Sequence, residues 1–167
     1  MLSFASMDAI TMLKRQHREV ADLFERFHKA RTGKQKQEIF EKIADALAVH
    51  ASIEEKHFYP SVKDAQTEDI LLESVEEHLQ VKRIIADLLE MDAGDEEFQA
   101  KVKTLQEDVE HHVEEEETEL FPKVEKLFDD EALEAIGSAM EETQAELLRE
   151  GNPREAIPGE TDAAAPI

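Results

Sequence analysis

His50-Ala51-Ser52-Ile53-Glu54-Glu55-Lys56-His57-Phe58-Tyr59-Pro60 and His112-Val113-Glu114-Glu115-Glu116-Glu117-Thr118-Glu119-Leu120-Phe121-Pro122 share one pattern, 62 residues apart. It reads His-x-x-x-Glu-Glu-x-x-(apolar)-(aromatic)-Pro. Residues i and i+4 share a helix face, so each copy sets a carboxylate one turn beyond an imidazole. Upstream of each copy lies a further His with a Val three residues on: His17 and Val20, then His78 and Val81, offset by 61. The chain reads as two like helical hairpins, each with one lone His and one His-x-x-x-Glu, facing each other about a pseudo-twofold axis.

The sequence around these motifs is helical in composition. Before residue 152 it has two prolines, Pro60 and Pro122, and four glycines, Gly33, Gly94, Gly137 and Gly151. Long stretches rich in Ala, Leu, Glu, Lys and Gln favour helix. The spacing predicts helices over about Met7 to Arg31 (ended by Gly33), Gln35 to Tyr59, Glu68 to Met91, and from an N-cap at Asp95 to Phe121. A fifth is predicted over about 130–150, with Leu133, Ile136, Met140, Thr143 and Leu147 on one face. Each Pro either kinks or ends its helix. Residues 152–167 hold the other three prolines and an Ala run and are expected to form a disordered tail. The expected organisation is one domain over 1–151 followed by that tail. The expected fold is all-α: an up-down-up-down antiparallel four-helix bundle with an additional C-terminal helix.

Apolar residues recur at three- and four-residue steps as core-facing stripes: Ile10, Leu13, Val20, Phe24 and Phe27; Ile43 and Leu47; Leu71, Ile85 and Leu88; Phe98, Val102, Leu105 and Val109. Each stripe is interrupted by an imidazole: His17, His50, His78 and His112. Counted from Gly33 and Gly94, these lie 16, 17, 16 and 18 residues away. At ~1.5 Å per residue the mismatch in height is roughly 2–3 Å, so the four fall in one layer. Glu54 and Glu116 join them one turn on. Buried carboxylates and imidazoles need compensation, and four His with two Glu at one level make a two-metal site. His57 is read as lining the rim of the site or standing behind its ligands, His111 as a boundary or solvent residue and His28 as a helix C-terminal cation. Tyr59 and Phe121 are read as packing, and the Glu114–Glu119 run as mainly a solvated face.

Composition narrows the function. The net charge of −22 opposes binding to nucleic acid or to an anionic membrane. Absence of cysteine removes disulfides, thiolate nucleophiles and thiolate-held metals. No basic-then-apolar leader opens the chain, and no apolar run approaches the ~20 residues of a membrane span. A cytoplasmic protein is expected.

The set His17, His50-x-x-x-Glu54, His78, His112-x-x-x-Glu116 resembles the hemerythrin-like (HHE cation-binding) family over roughly residues 7–128. Glu77 before His78 and both Glu-Glu-x-x-(apolar)-(aromatic)-Pro endings also fit. The resemblance implies two iron ions in a non-haem, oxo- or hydroxo-bridged di-iron centre. His17 and His50 would hold one iron, His78 and His112 the other, with Glu54 and Glu116 bridging. Oxygen carriers of this family have a fifth His one turn from the helix-three His; here those places are Ser74 and Lys82. They also space the last pair as His-x-x-x-x-Asp, for which the options here are His112 with Glu117 or His111 with Glu116; His112 with Glu116 repeats the helix-two spacing. Four imidazoles, two bridging carboxylates and the bridging oxygen leave one open position on each octahedral iron, an arrangement suited to reactive ligands. The expected role is handling or sensing dioxygen, peroxide or nitric oxide, or sensing iron or redox state. Peroxide disproportionation or iron donation in iron–sulfur repair is the enzymatic alternative, and oxygen carriage ranks below both. The partners expected are small diatomic or peroxide ligands. Donor types alone admit iron, zinc, copper or nickel.

Overall fold

The computed structural model describes residues 7–167, so the expectations for residues 1–6 lie outside the described residues. Among the described residues the regular structure is entirely helical. The α-helices are α1 (Ala9–Lys29), α2 (Gly33–Ile53), α3 (Tyr59–Ser61), α4 (Glu68–Leu89), α5 (Glu96–Glu115), α6 (Phe121–Leu127) and α7 (Asp130–Glu150). The first hairpin is α1 with α2, and the second is α4 with α5. Together they form the expected antiparallel bundle. No described helix is long and apolar enough to cross a membrane.

Local chemistry fixes the boundaries. Asp8 caps α1, accepting from the Thr11 N–H at 3.0 Å, and Asp129 caps α7, accepting from Ala132 at 2.8 Å. Gly33 does not end the first helix as expected. It opens α2, because Thr32 and Gln35 form a reciprocal capping box ahead of it. Asp95 stands at the α5 N-cap without a side-chain capping bond; Glu96 and Glu97 supply the negative charge that the first turn favours.

Both copies of the repeated motif widen into a π-helical turn, over Glu54–Phe58 and Glu116–Leu120. The Tyr59 N–H donates to the Glu54 carbonyl and the Phe121 N–H to the Glu116 carbonyl. Pro60 and Pro122 follow directly. A proline ring crowds the preceding turn and has no N–H for it, and the wide turn takes up that displacement. The chain continues helically to Ser61 and to Leu127.

The interior has two apolar cores. One gathers Leu13, Ile53, Phe58, Tyr59, Leu71, Leu120 and Phe121. The other gathers Phe24, Phe27, Phe40, Ile43, Ile85, Phe98 and Val102. Between them lies a layer of buried polar groups: His17, His50, Glu54, His78, His112 and Glu116. Helix α7 packs along α1 so closely that a Cβ on Gly137 would stand 2.2 Å from the Met7 carbonyl oxygen.

Residues 152–167 depart from the expected disordered tail. Gly151, at φ 136°, turns the chain out of α7 into a 3-10 helix, Pro153–Glu160. This strap crosses from α2 to α4. Arg154 donates to Asp45 at 2.9 Å, Ile157 is 2% exposed, and Glu160 pairs with Lys82 at 3.1 Å. Composition suggested disorder, but one buried aliphatic side chain and two ion pairs supply enough anchors to order so short a segment.

Candidate metal centre

The helix periodicity that points the apolar stripes inward carries the four imidazoles and two carboxylates to one point. His50 and Glu54, one turn apart, bring Nε2 and Oε1 to 2.9 Å. His112 and Glu116 are the equivalent pair at 3.4 Å. The lone imidazoles cross over: His17 Nε2 lies 3.1 Å from Glu116 Oε1, and His78 Nε2 lies 3.1 Å from Glu54 Oε1. His78 and His112 bring their Nε2 atoms to 3.1 Å. Two donor clusters result, His17–His50–Glu116 and Glu54–His78–His112.

All four rings turn Nε2 inward because Nδ1 is held from outside. Glu117 holds His17 at 2.9 Å and Glu55 holds His78 at 2.7 Å. Gln16 holds His50 at 2.7 Å and Glu77 holds His112 at 2.8 Å. These contacts obey the pseudo-twofold. The second Glu of each motif reaches the lone His of the other hairpin. The residue just before each lone His reaches the motif His of its own hairpin. The symmetry breaks at Gln16, an amide where the other half has a carboxylate. Outer partners of this kind fix ring orientation, and a carboxylate raises ligand basicity.

The repeat carries a signal for two of these partners, Glu55 and Glu117, the second Glu of each motif, although the run around Glu117 reads as mainly a solvated face; Glu77 stands out only through the family resemblance, and Gln16 carries no signal. Tyr59 was read as packing. Its hydroxyl donates to Glu116 Oε2 at 2.8 Å and stands 3.2 and 3.4 Å from the Nε2 atoms of His78 and His112. Phe121, its repeat counterpart, stacks on His17 instead. His57 is not at the rim: it bonds Thr143 of α7 at 2.6 Å. His111 faces outward beside Glu77 and Glu115, and His28 bonds Gln106 at the surface. Ser74 is buried. Lys82 joins Glu55 at 2.8 Å, so a chain of contacts runs from Glu160 through Lys82 and Glu55 to His78.

The electrostatics are those of a compensated buried charge cluster. Burial by itself would push His50 down; Glu54 and Glu116 more than reverse this and hold it at about 9. Burial and Glu116 push Glu54 up, but His50 and His112 outweigh them and leave it at about 2. Burial likewise opposes charge on His112 and Glu116, yet their proximity holds His112 well above and Glu116 well below their ordinary values. Burial drives the Tyr59 hydroxyl well above its usual range, reinforced by Glu116 and Glu54.

Among the described residues, satisfaction is incomplete in one place. His50 Nε2 and both carboxylate oxygens of Glu54 are buried without a hydrogen-bond partner. His50 Nε2 and Glu54 Oε1 are 2.9 Å apart but not aligned for a hydrogen bond. Orphaned buried polar atoms of this kind are costly, and a cation bound by the Glu54 oxygens and a deprotonated His50 Nε2 would satisfy them. The residues present fit such an ion.

The hemerythrin HHE cation-binding domain model matches residues 8–124. The chain belongs to the hemerythrin HHE cation-binding domain family. The crystal structure of a hemerythrin HHE cation-binding domain-containing protein from Mycobacterium kansasii superposes with a TM-score of 0.76 at 21% identity, covering 90% of this chain and 97% of that one. That likeness confirms the HHE fold. A DNA nickase from Nostoc sp. (strain PCC 7120 / SAG 25.82 / UTEX 2576) is 28% identical over 118 residues, 71% of this chain. The chain spans about a third of that relative's length, 34%. As an HHE domain this is a cation-binding protein with His/Glu clusters able to hold metal.

Proposed function

We propose that the chain holds a non-haem di-iron centre and uses it to handle or sense dioxygen, peroxide or nitric oxide. The observation that carries this reading is the orphaned set of Glu54 oxygens and His50 Nε2, inside a layer of four imidazoles whose outer nitrogens are all tied down. His17 and His50 would hold one ion and His78 and His112 the other, with Glu54 and Glu116 between. Iron held there supplies a reversible redox change and positions for a small ligand. The protein's own part is to fix the rings through Glu117, Gln16, Glu55 and Glu77, and to keep bulk water from a layer closed on one side by Phe58, Tyr59 and Phe121.

The Tyr59 hydroxyl stands 3.2 and 3.4 Å from the Nε2 atoms of His78 and His112, so an iron held by those imidazoles would have the phenol oxygen within reach. Taking it as a ligand would require loss of the hydroxyl proton, for which Glu116 Oε2, at 2.8 Å, is the acceptor. Tyr59→Phe in iron-loaded protein is expected to remove a visible phenolate-to-iron absorption while leaving two irons per chain. An unchanged spectrum would place the phenol outside the coordination.

The DNA activity in the nickase's name is not carried over: a chain with 41 acidic and 19 basic residues repels phosphate backbones. Metal analysis with an optical spectrum of aerobically purified protein tests the main reading. Two irons per chain with near-ultraviolet charge-transfer bands support it; a single colourless zinc refutes it.

A further inference from the structure

A cavity of about 370 Å³ adjoins the polar layer on the side away from Tyr59. Its inner end is lined by His17, His50, His78 and His112, and its walls include Val20, Leu47, Val81, Ile85, Val109 and Ile157. From His78 to Ile85 is two turns of α4, so the space extends about 10 Å from the imidazole layer. The strap, Pro153–Glu160, roofs it.

Three properties define what the cavity takes. The first is size. A site for a diatomic molecule needs little more room than one water, whereas an apolar cavity of about 150 Å³ already holds benzene. The second is polarity. Aliphatic walls give water few partners, so the space favours an apolar tenant. The third is charge. Glu150, Glu155 and Glu160 stand around it. The one Lys or Arg side chain in its lining, Lys82, is already engaged by Glu55 and Glu160. An anionic head group meets repulsion there, and an unpaired charge of either sign would be costly inside.

We propose that this cavity is a binding site for a neutral apolar organic molecule, of the size of a substituted aromatic ring or a medium-chain alcohol, held with one end against the four imidazoles. Its role as a substrate or effector of the centre rests on the di-iron reading above; its binding does not. The volume lies at the lower end of the range typical of small-molecule sites, and the shape presents one end of the guest to His17, His50, His78 and His112.

The test uses the full chain, metal-free and iron-loaded, titrated with the neutral fluorescent probe N-phenyl-1-naphthylamine; the chain has no Trp to interfere. Saturable binding of one probe per chain is expected in both forms. In the metal-free form, where no iron can draw a carboxylate, 1-octanol should displace it at least tenfold more effectively than octanoate. Val81→Phe and Leu47→Phe, which fill the space, should each weaken the probe at least tenfold with circular dichroism unchanged. Where either variant fails to fold, the octanol–octanoate comparison on the unaltered chain still decides. Lack of saturable binding, equal competition by octanoate, or undiminished affinity in a folded variant would overturn the proposal. Probe binding in a chain that takes up no iron would sink the di-iron reading alone. Normal iron uptake without probe binding would sink this proposal alone.

Discussion

At the scale of single residues, the outer partners of the imidazoles are the most exacting part of the site. Glu117 and Glu55 touch none of the proposed inner positions, yet they decide where His17 and His78 point. Replacing either by Ala is expected to weaken metal binding about 10- to 100-fold, measured by competition with a chelator, while His28→Ala leaves affinity unchanged. Equal affinity in all three variants would mean the rings need no outer hold. The charge state of His50 gives a second outcome. Its pKa stands at about 9 in the folded chain against an ordinary 6.5. In metal-free protein the charged ring therefore contributes stability that is complete below about pH 6.5 and is lost as pH rises through about 9. A bound metal must displace that proton, so apparent affinity should climb across the same window and then level. Titrations from pH 6 to 10 would show this as a slope; a flat profile would contradict it.

At the scale of elements, the bundle helices and the imidazole layer were legible because periodicity and turn distances report directly on helix faces. The layer could be counted from Gly33 and Gly94 even though Gly33 begins a helix rather than ending one. The π-helical turns were not legible, since the sequence marks them only by the prolines that follow. Gln16 escaped notice because a lone amide on a helix carries no metal signature of its own. The docking of α7 was half legible: its apolar face was plain, but the close approach at Gly137 depends on where Met7 lies. Gly137→Ala would drive a Cβ into the backbone leading into α1. It is expected to cost about 1–3 kcal/mol, read as a lower midpoint in chemical denaturation. No change would show that α7 can ride outward freely.

At the scale of the whole molecule, the strap changes what the last residues do. A chain ending at Gly151 loses Ile157 from the core that holds Phe24, Phe40 and Ile85, the Arg154–Asp45 contact and the Glu160–Lys82 pair. It should melt at a lower temperature than the full chain and expose an apolar cavity, seen as increased binding of a surface-sensitive dye. Identical melting and dye binding would show that the strap merely lies on the surface. Composition misled here because the prolines and alanines of residues 152–167 report only local preference, while the order of the strap comes from anchors on α2 and α4, far away in the sequence.

The crossed holds between the hairpins bear on the history of the chain. Glu55 of the first half steadies His78 of the second, and Glu117 of the second steadies His17 of the first. Two identical hairpins meeting across a true dyad would make the same contacts, so the arrangement is one that a self-pairing ancestral half could already have possessed. Two halves joined in one chain need not copy each other. Tyr59 opposite Phe121, and Gln16 opposite Glu77, are where that freedom has been used.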